Sequence, residues 1–379
     1  MLTPTLQSRK LGVTLLFLVH GLIESTWISR IPQIKDSLHA QTGPFGLSLL
    51  GSAVGAMLSM PFTGWLLSHY EGRRILIVSS VLWCAALPVI GLARSLPQLM
   101  AALVLYGMVG GAMDIAMNAF GSVVDRQSPR PVMSFFHGMF SAGGMVGAVV
   151  GVLLLRSGIA LETHFVVVAV LLIILTLLTA RLFPPTQPEA QATRTGFRLP
   201  PPALLALGLL AFSILFGERA IADWTGIYLM QRGATASYAA VGFAAFSAAM
   251  TVGRFAGDRL IHRFGPASTL QAGSAIATLG LTAALIIGTP WAGVAGASLV
   301  GAGFAVVVPI LYRAAGAVPG LGAGPAIATV STMGYMGFFV GPPLIGFAAQ
   351  AFTLRWALLI VAALSGVVVF SARRALRIR

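Results

Sequence analysis

The sequence predicts an all-α polytopic membrane protein, twelve transmembrane helices in two pseudo-symmetric six-helix halves. Three observations carry that reading: an apolar composition, about twelve span-length apolar stretches, and residues that recur at a nearly constant offset. Of the 379 residues 57% are hydrophobic and only 9% charged, and the mean hydropathy is +0.90. A soluble domain carries about 25% charged residues, so this chain has too little polar surface for water.

A bilayer core of about 30 Å needs about 20 apolar residues per helix. Such stretches fall near 11–31, 45–68, 75–93, 98–122, 133–155, 164–183, 203–230, 236–261, 268–287, 291–313, 324–349 and 354–372. Turn chemistry separates them: Pro32, Gly43-Pro44, Pro97, Pro129 with Pro131, Gly265-Pro266, Pro290 and Pro319-Gly320. The longest gap, 184–202, holds six prolines among polar residues and reads as a linker between halves 1–183 and 203–379. The first stretch follows Arg9 and Lys10 and runs through Trp27 to Ile31 without a small-residue cleavage pattern. It reads as a retained span and not as a removed signal peptide.

Basic residues beside spans are kept in the cytoplasm. With the N-terminus inside, sixteen Lys and Arg flank spans on the inner side and six on the outer side, and Arg219 and Arg254 lie within spans. Both termini and the linker are therefore expected in the cytoplasm. The net charge of +14 comes from residues scattered singly or in pairs, without a basic stripe or aromatic platform, which argues against nucleic acid. Cys84, the only cysteine, sits in an apolar run and offers neither a disulfide nor a metal cluster.

Duplication shows as matched positions. Gly72 and Gly265, like His69 and His262, are 193 apart; Gly143 and Gly147 match Gly337 and Gly341 at 194; Trp27 and Trp224 differ by 197. Six plus six spans, a central linker and GDRLIHRFG at 257–265 resemble the major facilitator superfamily, whose loop after span 2 repeats after span 8. The resemblance covers the whole chain, although the first copy, GWLLSHYEGRR at 64–74, has Ser68 and His69 around the usual acidic position and a spacing shifted by one residue. It implies an inner gate drawn from His69, Arg73, Arg254, Asp258, His262 and Arg263. MDIAMNAFG in span 4, SFFHGMFSAGGMVGA in span 5, DWTGIYL in span 7 and GYMGFFVGPPLIG in span 11 are similar to bacterial inner-membrane facilitators. Some of these are associated with sugar-like or inositol-derived solutes. The implied place is the bacterial cytoplasmic membrane, and the implied state a monomer whose partners are a small solute, protons and lipid.

A charge at bilayer depth costs at least about 2.5–3.5 kcal/mol, so each one kept there needs a reason. Glu24 lies roughly 20 Å into span 1 at helical rise. His20, Glu24 and Trp27 share a face by i, i+4, i+7 spacing, and Asp114 and Asn118 are four apart in span 4, on a helix rich in glycine. Glu24 and Asp114 read either as proton-carrying or substrate-binding acids or as buried structural acids. An acid in span 1 and another in span 4 also resemble the fucose:proton symporter branch of the superfamily, though the positions match loosely. His137, one to two turns into span 5, reads as a cavity ligand shared with Asn118 or as a packing histidine. The Gly143, Gly147, Gly151 series reads as helix packing. In span 7 Glu218 reads as cavity-lining, Arg219 with Asp223 as a structural i, i+4 pair, and Trp224 and Tyr228 as interfacial belt. Arg254 and Asp258 have the same i, i+4 spacing, and Tyr335 in span 11 completes a substrate set of His20, Trp27, Asn118 and His137.

Several acids and a histidine within spans, with no GxxxxGK[ST] loop for a nucleotide, point to a proton-coupled symporter of a small polar solute such as a sugar, polyol or amino sugar. It would work by alternating access, needing no metal and no cofactor and performing no enzymatic chemistry. Proton-coupled efflux of drugs or metabolites is the alternative; such antiporters usually have Gly-Pro in span 5, whereas here Gly341-Pro342-Pro343 lies in span 11. A membrane receptor or enzyme is more remote, for want of a metal cluster, nucleophile or soluble domain.

The orientation is tested by a cysteine at Thr193. It should react with impermeant thiol reagents only after the cells are opened, and labelling of intact cells would overturn the topology.

Overall fold

The computed structural model describes residues 5–129, 132–183, 201–318 and 323–376. The expectations for residues 184–200 of the linker and for Pro319-Gly320 fall outside them. Fourteen α-helices and a short 3-10 turn account for nearly all described residues. In chain order they are α1 Leu6–Ile28, α2 Ile31–Ser37, α3 Thr42–His69, α4 Gly72–Gly91, α5 Leu96–Gln127, α6 Met133–Arg156 and α7 Leu161–Thr179 with its turn Ala180–Leu182. There follow α8 Pro202–Gln231, α9 Ala236–Phe264, α10 Pro266–Ile287, α11 Pro290–Phe304, α12 Val307–Gly316, α13 Ala323–Ala351 and α14 Leu354–Leu376. Eleven spans among the described residues are long and apolar enough to cross a membrane, and α13 stands in the eleventh of the twelve expected places.

The expected punctuation sets the helix ends. Pro97, Pro266 and Pro290 occupy first turns, where the missing N–H would have had no partner anyway. Thr5, Ser95 and Thr235 cap α1, α5 and α9 by accepting from the amide three residues on. Span 10 was expected to be continuous but is broken into α11 and α12. The cause is Pro309: its ring clashes with the carbonyl four residues back, at Ala305.

The chain forms two compact units, Met1–Ala40 with Ser48–Arg194, and Gln41–Leu47 with Thr195–Arg379. In the first unit α1 packs against α6, with α5 and α7 beside it, and α4 packs against α5 and α7. In the second, α8 packs against α13, with α14 beside it, and α10 packs against α11 and α14. The pairings repeat in order, as duplication requires.

Close α1–α6 contact depends on residues without a Cβ. A Cβ on Gly143 would strike the Leu18 carbonyl and come within 3.1 Å of the Leu22 amide nitrogen, and one on Gly147 or Gly151 would strike the hydroxyl of Ser25 or Ser29. In the second unit a Cβ on Gly337 would lie 2.6 Å from the Phe212 carbonyl oxygen and the Phe216 amide nitrogen. The packing role read from the glycine series is what the structure shows, in both copies. Where lipid would lie, large apolar side chains such as Leu171, Leu178, Val252, Leu279 and Phe370 are exposed, since backbone groups are satisfied within the helices.

The glycines supply a paired test. Gly143→Ala should lower the melting temperature by the equivalent of about 1–3 kcal/mol, because overpacking forces α1 and α6 apart. Gly144→Ala, with nothing within 4 Å of the new methyl, should leave it unchanged or raise it slightly through helix propensity. Equal effects at both positions would refute the packing account.

Candidate functional site

In the first unit the two acids of interest meet through aromatic residues. α1 carries His20 and Glu24 one turn apart, and α5 carries Asp114 and Asn118. Asn118 Nδ2 donates to the Asp114 carboxylate at 3.0 Å and to its backbone carbonyl at 2.8 Å, fixing the acid's orientation. His20 Nε2 stands 3.9 Å from Asp114 Oδ1, a charged contact only when the ring is protonated. His20 Nδ1 is buried and has no hydrogen-bond partner among the described residues.

The His20 ring leans on Trp83 of α4 at 4.5 Å and on Phe140 of α6 at 5.1 Å between centroids. Trp83 in turn lies 5.2 Å from Tyr106, whose hydroxyl donates to Glu24 Oε2 at 3.3 Å. A continuous path therefore runs from Asp114 through His20, Trp83 and Tyr106 to Glu24. Gly110 makes room for it, as a Cβ there would lie 2.7 Å from the Trp83 indole nitrogen. Asp114 is about one-third exposed and His20 about one-seventh, at 35% and 15% of their side chains, so solvent reaches the acid more readily than its partner. His137, exposed on α6, touches Phe17 edge-on at 5.1 Å.

Trp83 and Tyr106 escaped the sequence reading because neither is charged and both sit in apolar runs. The available signal was a tryptophan in mid-span, away from the interface where such rings gather. Trp27, expected to bind substrate, is fully buried in the core of its unit, and Trp224 is enclosed to the same degree. Trp224 and Tyr228 are therefore not belt residues: both are enclosed, and the recurrence of Trp27 as Trp224 serves packing. In the second unit Trp224 meets Phe45 edge-on at 6.4 Å.

The charges of the second unit pair differently from the sequence spacing. Arg219 Nε does bond Asp223 Oδ2 at 2.8 Å, as expected. Arg254, however, reaches across to Glu218 of α8 at 3.6 Å, while Asp258 is exposed and makes no ion pair among the described residues. The interhelical acid competes better for Arg254 than one on its own exposed turn. Tyr335 is partly exposed on α13, 5.7 Å from Phe338.

His69 Nδ1 lies 2.9 Å from both the Ser68 hydroxyl and the Trp65 carbonyl, and Arg73 donates twice to the Ala180 carbonyl, at 3.2 and 3.0 Å, tying down the end of α7. His262 and Arg263 are exposed, with Arg263 over the Phe264 ring. The two loop copies also differ in backbone: Gly265 has φ of +77°, whereas Gly72 begins α4 without a positive φ. Among the described residues no three of His, Cys, Asp and Glu gather to hold a metal ion.

A model of the family described as Major Facilitator Superfamily matches residues 13–320. An uncharacterized MFS-type transporter of Yersinia pestis is 34% identical, over 98% of this chain and 96% of its own. Among solved structures, a bacterial homolog of the human lysosomal transporter Spinster, inward-facing and occupied, superposes with a TM-score of 0.75 at 17% identity, over 97% of this chain and 96% of that one. The Escherichia coli fucose:proton symporter does so with 0.64 at 19% identity, over 96% and 97%. At such identities the structures speak for the fold alone.

The Glu218–Arg254 contact is measurable by a double-mutant cycle on melting temperature. Glu218→Gln and Arg254→Gln should each destabilise, and the double variant should lose less than their sum, with a coupling of roughly 0.5–1 kcal/mol. Strict additivity would mean that the two groups do not interact.

Proposed function

Because the chain belongs to the major facilitator superfamily and is a transporter, we propose that it moves a small polar solute by proton-coupled symport and that the Asp114 cluster is its coupling site. The observation that carries this is the union of Asp114, Asn118, His20 and Glu24 with Trp83 and Tyr106 in one unit. A carboxylate held by an amide and facing an imidazole is suited to take up a proton and give it back. Asn118 orients it. Exposed polar groups beside aromatic faces suit a hydroxylated solute, with hydroxyls on Asp114, Asn118 and His137 and the apolar ring face on the aromatics. Within the second half, Glu218 is the proposed titratable acid and Tyr335 a proposed solute-binding residue.

In this reading the halves are 1–183 and 203–379, with both termini and the linker in the cytoplasm of a bacterial cell and the protein embedded in its inner membrane. The basic asymmetry supports that orientation. Arg254, Asp258, His262 and Arg263 serve the inner gate by forming contacts in one state that are lost in another, and His69 and Arg73 do so in the first half.

The test uses proteoliposomes and a solute selected by thermal shift from sugars, polyols and amino sugars. Asp114→Asn keeps size and hydrogen bonding but cannot carry a proton, as is true of Glu24→Gln. One of them, with Asp114→Asn favoured, should abolish accumulation driven by a pH jump while counterflow exchange continues at a substantial fraction of wild type. Loss of both modes together would assign the acid to solute binding. Wild-type accumulation in both variants would overturn the coupling role.

A further inference from the structure

Away from that cluster, the first unit contains a cavity of about 290 Å³ where α1 and α2 meet, α4 and α6 end and α7 begins. Its lining includes Arg30, Gln33, Ser37, Arg94, Ala160 and Glu162. Arg30 is only 1% exposed. Among the described residues its three hydrogen bonds all go to neutral acceptors: Nε to His164 Nδ1 at 2.9 Å, Nη1 to Gln33 Oε1 at 2.7 Å and Nη2 to the Ile159 carbonyl at 3.1 Å. A guanidinium has five N–H donors, so two remain. Because His164 Nδ1 accepts, its ring is the neutral tautomer with the proton on Nε2 and adds no charge of its own. No carboxylate pairs with Arg30 among the described residues.

The other charges on the wall do not fill that role. Arg94 and Glu162 pair with each other at 3.8 Å, with side chains 70% and 48% exposed, and largely cancel. The cavity thus keeps one positive charge, at Arg30. It also faces the start of α7, whose N-cap Ala160 supplies no side-chain bond to the first-turn amides, so the positive end of the helix adds to the field. A buried charge without a counter-charge costs several kcal/mol. The guanidinium fork matches an oxyanion geometrically, and the volume exceeds what a monatomic ion needs.

We infer that this cavity binds a phosphate-type oxyanion, either free phosphate or the phosphodiester of a lipid headgroup, on the remaining Arg30 donors and the first amides of α7. The anion would tie together the ends of four long helices of the first unit. The inference does not depend on the transported solute or on proton coupling.

The test is thermal unfolding and calorimetric titration of the purified full chain with inorganic phosphate at constant ionic strength, for wild type, Arg30→Gln and Ser37→Trp. Ser37 is exposed at the rim, so tryptophan there fills the cavity without disturbing Arg30, and this variant decides the matter should Arg30→Gln fail to fold. Wild type should be stabilised in a saturable way, and both variants should bind at least about tenfold more weakly, as expected for loss of a charge-assisted bond. A parallel arm compares nanodiscs of phosphatidylcholine with nanodiscs containing phosphatidylglycerol, without added phosphate. Stabilisation by phosphatidylglycerol that Ser37→Trp abolishes assigns the site to lipid, and a response to soluble phosphate alone assigns it to the free anion; either supports the site. Equal shifts in all three proteins would be a general salt effect, and that result, like no response in either arm, overturns it.

Discussion

Within a low-dielectric slab every backbone polar group must find a partner inside the protein, and much of this structure follows from that constraint. Helices satisfy the backbone, and hydroxyl side chains turn back onto their own helix: Thr14 donates to the Lys10 carbonyl, Thr26 to that of Leu22 and Ser80 to that of Leu76. Glycines then let α1 approach α6, and α8 approach α13, until backbones touch. Once these demands are met, the few charged or titratable side chains remaining at depth stand out. They fall into a small number of clusters.

The duplicated frame holds chemistry that is not duplicated. Both halves pair their first and fifth helices through glycines and bury a tryptophan near the end of the first. In the first half, however, the acids are flanked by an imidazole, an amide and two aromatic rings. In the second they are flanked by arginines. An acid beside a fixed cation has its charge compensated continuously, whereas one beside an imidazole and an amide does not. That contrast is why the first half is the better candidate for exchanging a proton and the second for holding a structural or gating pair.

Features that depend on local periodicity were legible in the sequence. Span positions, the proline-set ends, the glycine packing series and the Arg219–Asp223 pair all follow from spacing along one helix. What depends on a neighbouring helix was not legible. Arg254 was read with Asp258, four residues on, but bonds Glu218 on α8. Trp83 and Tyr106 were passed over because their importance lies in joining α4 and α5 to α1. Trp27 shares a helical face with His20 in projection, but the core of its unit encloses it completely. The break at Pro309 was missed although the residue that causes it was visible, because an apolar run around it kept the span's length unchanged.

The central claim is that Asp114 exchanges a proton while His20 and Asn118 hold it in place. Infrared difference spectroscopy of the reconstituted protein, stepping the pH, reads carboxyl protonation directly in the C=O stretch. The account predicts a titrating carboxyl band in wild type that is absent in Asp114→Asn and retained in Glu162→Gln, which alters an exposed acid elsewhere. A band that survives unchanged in Asp114→Asn would contradict it.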